Sequence, residues 1–175
     1  MKKITTSIAI LLLLAGTFFS CNKEEPDIPF DEPIDVPFTV FSRTGWDFPD
    51  KELTDPLLLP GTSCRWVRCN RNEVIIINSD RELRRHITCA ENSDLPAIDF
   101  SKYTLLLARG IAVATPYTVH MGSLQQHSSR SYVMNVQVRV TGVETIGFWH
   151  VAILTGKLNE NANIKLNVVF PQWEN

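Results

Sequence analysis

Tyr132-Val133-Met134-Asn135-Val136-Gln137-Val138-Arg139-Val140 is the stretch that decides the fold. Tyr132, Met134, Val136, Val138 and Val140 fall on every second position, and Asn135, Gln137 and Arg139 stand between them. That is the period of a strand that buries one face and wets the other. Ile164, Leu166, Val168 and Phe170 alternate with Lys165 and Asn167 in the same way. Two further runs, Tyr103 to Ala108 and Phe148 to Leu154, are apolar on both faces, and Tyr117 to Met121 follows Pro116 as another short strand. From Ile98 onward the chain therefore reads as a β-meander. Upstream, Val74 to Ile77 are consecutive apolar residues, as in a strand covered on both sides, and Phe38 to Phe41 is short and β-prone.

One helix is signalled between these runs. Ser79 followed three residues later by Glu82 matches a capping box, and Leu83 with Ile87 forms an i, i+4 apolar pair that leaves Arg81, Arg84 and Arg85 toward water. The helix is predicted over Asp80 to Thr88, barely two turns, so it must lean on the sheet. The expected fold class is α+β, mostly β: an antiparallel sheet or sandwich of about six or seven strands with one short helix.

The N-terminus reads as an address. Lys2 and Lys3 precede an apolar core from Ile8 to Phe19, which is about a dozen residues and too short to span roughly 30 Å of hydrocarbon. Phe18-Phe19-Ser20-Cys21 resembles the bacterial lipobox, in which the Cys is acylated and becomes the first residue of the mature chain. Buried acyl chains contribute roughly 0.8 kcal/mol per CH₂, so Cys21 would hold the protein at a membrane without a spanning segment. The residues that follow, Asn22-Lys23-Glu24-Glu25, resemble a surface-export signal of Bacteroidetes lipoproteins, which implies the outer face of the outer membrane, with the periplasmic face as the alternative.

Asn22 to Pro37 hold six acids, one Lys and Pro26, Pro29, Pro33 and Pro37, a composition that favours an extended spacer. The expected organisation is a lipoprotein signal peptide at 1–20, a lipidated Cys and acidic tether at 21–37, and a single β-rich globular domain at 38–175. That domain carries fourteen basic and thirteen acidic residues, so it lacks the dense positive field that nucleic-acid binding needs. With Cys21 acylated, Cys64, Cys69 and Cys89 remain in an oxidising compartment. On a strand around Trp66, Cys64 and Cys69 point to opposite faces, so Cys64 with Cys89 is the expected bridge and Cys69 with Cys89 the alternative.

Catalytic patterns are weak. There is no G-x-S-x-G, and Ser128, Ser129 and Ser131 beside His127 have the composition of a hairpin loop. Cys89 lies three residues after His86, but a bridged Cys is no nucleophile. His86, His120, His127 and His150 show no metal-ligand spacing, although His120 and His150 are candidates for adjacent strands. Asp94 and Asp99 flank Pro96, and Glu144 stands alone, with no sign of a carboxylate pair. No cofactor or metal is implied. Among the aromatics a sugar platform would use, Trp66 and Trp149 sit in strand patterns and read as core, whereas Trp46 and Trp173 do not.

The long irregular stretch from Trp46 to Gly61 mixes Trp46, Phe48 and Leu57 to Leu59 with Asp47, Asp50, Lys51 and Glu52, as an interface with an apolar centre and polar rim does. Trp46 and Phe48 are the expected partner-binding residues; the other reading of the stretch is that Leu57 to Leu59 simply close the core. The functional expectation is a surface-exposed lipoprotein that acts as a non-enzymatic binding module for a protein partner. Its alternatives are a carbohydrate-binding accessory lipoprotein and a hydrolase.

The segments Ile77-Asn78-Ser79-Asp80-Arg81-Glu82-Leu83, Ile98-Asp99-Phe100-Ser101 and Leu105-Leu106-Leu107-Ala108-Arg109-Gly110 resemble a pattern of small Bacteroidetes lipoproteins. They are also similar to the C-terminal domain of the B-type components of dentilisin-type protease complexes. The likeness covers Glu73 to Tyr132 and, more loosely, reaches Val169. It implies a strand, a capped helix, a turn and a core strand in that order, and a protease or another component of such a complex as partner. Ala112-Val113-Ala114-Thr115-Pro116-Tyr117 stands where that pattern has a Gly-Gly-Tyr-like segment, and no binding residue carries over.

Overall fold

The computed structural model describes residues 26–45, 57–59, 61–90 and 95–171. In chain order the elements are β1 (Pro29–Asp35), β2 (Phe38–Arg43), β3 (Arg65–Trp66), β4 (Glu73–Ile77), α1 (Asp80–Leu83), β5 (Ile87–Thr88), β6 (Tyr103–Ser128), β7 (Ser131–Gly156) and β8 (Asn163–Val169). The fold is mostly β with almost no helix, as the period-two runs predict, and its sheet curls into a half-barrel.

β6 and β7 have 26 residues each and pair antiparallel from Tyr103 opposite Gly156 to Gln126 opposite Tyr132. A straight strand of that length would run about 85 Å, roughly twice the diameter of a domain of this size. The hairpin instead bends at its middle. Register shifts cluster between Ala112 and Thr118, opposite Val140 to Gly147. Gly147 is needed there, because a Cβ at that position would collide with the Pro116 ring. The bend divides the hairpin into a base half near the strand ends and a tip half near the turn.

Each half recruits its own flanking strands. In the base half β4 pairs with β6, from Glu73 opposite Arg109 to Ile77 opposite Leu105, and β2 pairs with β7. In the tip half β1 pairs with β6 and β8 pairs with β7. The inner faces of the two halves meet in one core, in which Leu106, Ala108, Trp149, Val151 and Ile153 pack with Val119, Leu124, Met134, Val136 and Val138.

The last strand departs from a meander: β8 runs parallel to β7. Parallel neighbours usually require a crossover of a dozen or more residues, yet residues 157–162 suffice here. They suffice because β7 doubles back, so its end lies near its own start.

The stretch expected as a spacer is also corrected. Pro29–Asp35 form β1, paired to β6 from Pro29 opposite Ser128 to Asp35 opposite Gln125. Its prolines are tolerated because it is an edge strand, and Pro33 falls where the register is irregular. The chain then crosses to the base half, where the Thr155 hydroxyl donates to the Pro37 carbonyl at 2.9 Å, and runs on as β2. Beyond β2, Thr44 accepts from Val119 N and donates through its own N to His150 O, which stitches the tip half to the base half.

A third layer covers the outer face of the base half. Leu57, Leu59, Cys64, Trp66, Leu83 and Ile87 pack on Leu105, Leu107 and Ala152, so Leu57 to Leu59 do close a core. Ser79 caps the helix, with Glu82 N donating to its Oγ at 3.2 Å, but the Glu82 carboxylate reaches one residue past the reciprocal capping-box position and accepts from Asn78 N at 2.6 Å. The helix is shorter than expected, four residues, because Ile87 and Thr88 are drawn into a ladder with Trp66 and Arg65. The bridge joins Cys64 to Cys89 across 25 residues, a loop closure of about 3 kcal/mol in the chain-entropy picture. Among the described residues Cys69 is the free thiol.

Candidate functional site

Cross-strand rows on the outer face of the base half pass from dry to wet. Leu105 opposite Leu154 and Leu107 opposite Ala152 lie beneath the cover. Arg109 opposite His150 follows, then Ile111 opposite Phe148. Val113 and Ile146 come next, beside the Ala112–Gly147 pair, and are 89% and 71% exposed. Among the described residues the cover has ended by this point, and the face remains apolar.

The polar row seals the edge of the cover. Arg109 donates through Nε and Nη2 to one oxygen of Glu73 at 2.9 and 2.7 Å, and through Nη1 to the Val67 carbonyl at 2.8 Å. Arg71 holds the other Glu73 oxygen at 3.1 Å. Burial raises the Glu73 pKa, but the hydrogen bonds from Arg109 and Arg71 outweigh it and hold the carboxyl below its usual range. Arg109 thus ties the segment between β3 and β4 to the sheet.

His150 is sealed across the row. The Thr44 hydroxyl accepts from His150 N at 3.0 Å and shares a second hydrogen bond with Nδ1 at 3.1 Å, while Nε2 is buried with no partner among the described residues. Burial pushes the imidazole pKa down to about 3, and the ring is neutral. Trp66 lies 6.1 Å from it, centroid to centroid, and donates its indole N–H to Ser42 Oγ at 3.0 Å. A neutral, solvent-excluded imidazole bound by Thr44, just past β2, is a strut for the fold.

At the rim, the Arg68 guanidinium lies over the Phe148 ring at 5.0 Å, and Val67 beside it is exposed. The result is an apolar strip, Ile111, Val113, Ile146 and Phe148, with a cation at its border. Such a surface can bind; it offers no group to transfer a proton or attack a carbonyl.

The residues singled out in the sequence are dispersed. Cys21, Trp46, Phe48, Asp94 and Trp173 lie outside the described residues. Trp66 and Trp149 are core. His120 and His150 lie on the adjacent strands β6 and β7 but are not paired: His120 is opposite Gln137, His150 opposite Arg109, and His120 Nδ1 accepts from Arg43 at 3.2 Å. Ser128, Ser129 and Ser131 donate to Asp27, and among the described residues no three His, Cys, Asp or Glu side chains could share a metal ion. The Cys69 thiol is pushed up by burial and donates to the Arg71 carbonyl, so it is no activated nucleophile. One open hollow of about 410 Å³ is bounded by Asp80 and by Leu95 to Asp99.

The exposed pair Val113 and Ile146 escaped the sequence reading because both look like ordinary strand residues. Their only local sign is the neighbouring Pro116 and Gly147. The chain matches no protein-family model, no curated protein and no solved structure.

Proposed function

We propose that the protein is a lipid-anchored, surface-displayed binding module, and that its partner is another protein, engaged through Ile111, Val113, Ile146 and Phe148 with Arg68 at the rim. The observation that carries this reading is the exposure of Val113 and Ile146, which flank the Ala112–Gly147 pair where the register of β6 and β7 shifts. Isolated exposed apolar residues are ordinary, but neighbouring ones continuous with a half-buried aromatic ring mark contact surfaces. They sit at a register shift between the Ala112–Gly147 and Ala114–Glu144 pairs, so the ladder on either side carries them. The lipid on Cys21 would supply the address.

The test is photocrosslinking in the native envelope, with a benzophenone amino acid at position 113 and, as control, at the exposed, polar position 165. A discrete crosslinked protein at 113, absent at 165 and abolished by Ile146→Lys, supports the reading. Equal labelling at both positions counts against it. The hollow bounded by Asp80 and Asp99 favours a glycan as second reading, since carboxylates can accept from sugar hydroxyls. Loss of polysaccharide binding in Asp80→Ala, with crosslinking at 113 unchanged, would support that alternative.

A further inference from the structure

Asp27 fastens the start of β1 to the β6–β7 turn. Its two carboxylate oxygens accept from Ser128 Oγ at 2.5 Å, Ser131 Oγ at 2.8 Å, Ser129 Oγ at 3.0 Å and Arg130 N at 3.2 Å, with the Arg130 guanidinium at 3.9 Å. Those hydroxyls, Ser128 and Ser131 first, hold the carboxyl down to about 2, so it stays ionised. The turn is therefore fixed to the chain a few residues from Cys21. Only residues 22 to 26 separate Cys21 from Asp27, and that length of chain spans at most about 20 Å.

The rest of the molecule can be placed relative to that end. Asn163 N donates to Arg130 O, and Lys157 N to Lys102 O, so the open ends of the hairpin return toward the turn through residues 157–162. The bend is remote from it: Pro116 and Val140 lie roughly ten residues, or about 35 Å of strand, from the turn. Beside Asp27, Ile28 is 70% exposed and Phe30 is 37% exposed, two positions apart and so on one side of an extended chain.

We propose that the turn end of the molecule rests on the lipid surface, with Ile28 and Phe30 as its apolar contact, and that the Asp27 clamp thereby holds the Val113–Ile146 bend away from the membrane. This rests on the lipid anchor at Cys21 and goes beyond it, because an anchor alone leaves the domain free to lie on any side. The short span from Cys21 delivers Ile28 to the boundary between headgroups and acyl chains, where an apolar side chain is more stable than in water.

The experiment uses the lipidated mature chain with Cys69→Ser, so that an added Cys is the sole free thiol. Ile28→Cys and Val113→Cys are labelled separately with an environment-sensitive dye and incorporated in vesicles of phosphatidylethanolamine and phosphatidylglycerol that contain a headgroup nitroxide. The label at 28 should be quenched at least about threefold more than the label at 113, as interfacial burial against a position tens of ångströms away requires. In Asp27→Ala the difference should collapse while flotation with the vesicles persists. Equal quenching, or stronger quenching at 113, in a protein that floats overturns the orientation and leaves the anchor intact. If the unlabelled parent does not float, or Cys21→Ser floats equally well, the anchor fails and the orientation with it. A difference that survives Asp27→Ala overturns the clamp's part.

Discussion

The base and tip halves of one hairpin are built from the same two strands and end in different surroundings. In the base half Leu105 to Ala108 and Val151 to Ile153 are buried on both faces, because a second core lies beneath Leu59, Trp66 and Leu83. In the tip half the inner positions Met134, Val136 and Val138 are buried while Gln137 and Arg139 face water. Length and pairing do not separate them; a third layer does. Among the described residues the bend falls where that layer stops, and Val113 and Ile146 there are the most exposed of the large apolar side chains.

The largest expected effect tests the third layer. Leu107→Ala, on the outer face of the base half, should lower stability by about 2–5 kcal/mol in urea unfolding, as a cavity in a packed core does. Gln137→Ala, on the outer face of the tip half, should change it by less than about 0.5 kcal/mol. A cheap Leu107→Ala would mean that the cover lies loosely on the sheet and that the two halves are alike.

This contrast was legible in the chain, whereas the architecture was not. Continuous apolar runs at Tyr103 to Ala108 and Phe148 to Leu154 mark strands covered twice, and the alternation at Tyr132 to Val140 marks one wet face. Pro116, however, reads as the start of a new strand, though it lies within a single bent one. The pairing of Pro29–Asp35 is invisible because the groups that hold it, such as Ser128, are 101 residues from Asp27. Side-chain alternation favoured the Cys64–Cys89 bridge that forms, while leaving Cys69 with Cys89 open. The exposed strip could not, since exposure of Val113 and Ile146 depends on where the cover ends, a property of remote residues.

The next effect in size belongs to the bridge that tightens the cover. Cys64→Ser with Cys89→Ser should cost about 3 kcal/mol, and hydrogen exchange should quicken first in β3 and β5 while β8 keeps its protection. The unfolded, unreduced domain should titrate with one thiol reagent equivalent, at Cys69. Uniform loss of protection across both halves would show that cover and tip fold as one cooperative unit.

Acid should distinguish the halves more gently. His150 has a folded pKa of about 3 against an ordinary value of 6.5, so its contribution is fully present above pH 6.5 and is lost as the pH falls toward 3. Between pH 7 and 5 the loss is about 2 kcal/mol. His86, lowered first by burial and then by Arg109, acts in the same direction. Asp27 and Asp99, both held down to about 2 with hydrogen bonds from Ser128 and Ser101 the leading causes, contribute above their ordinary value of 3.8 and lose that only below it. The window from pH 7 to 5 therefore isolates the imidazoles. In His150→Asn the unfolding midpoint should vary much less between these two pH values. An unchanged pH slope in that variant would sink the assignment.

The smallest expected effect on stability is at the bend, and it carries the most functional information. Val113→Ser with Ile146→Ser removes apolar groups that already face water, so little buried area is lost and unfolding free energy should move by less than about 0.5 kcal/mol. Neither residue supplies a hydrogen-bonding side chain, and serine is tolerated in a strand, so the register between Ala112 and Gly147 should survive. The same double substitution should abolish the crosslink from position 111, next along the strip. Two outcomes would divide cleanly from this one. A destabilisation above about 1 kcal/mol would show that other parts of the chain pack on the strip in solution, which makes the bend a continuation of the base half and removes it as a contact surface. Unchanged stability with an unchanged crosslink would leave the strip exposed but idle, and would move the search for a partner to the rim formed by Val67 and Arg68.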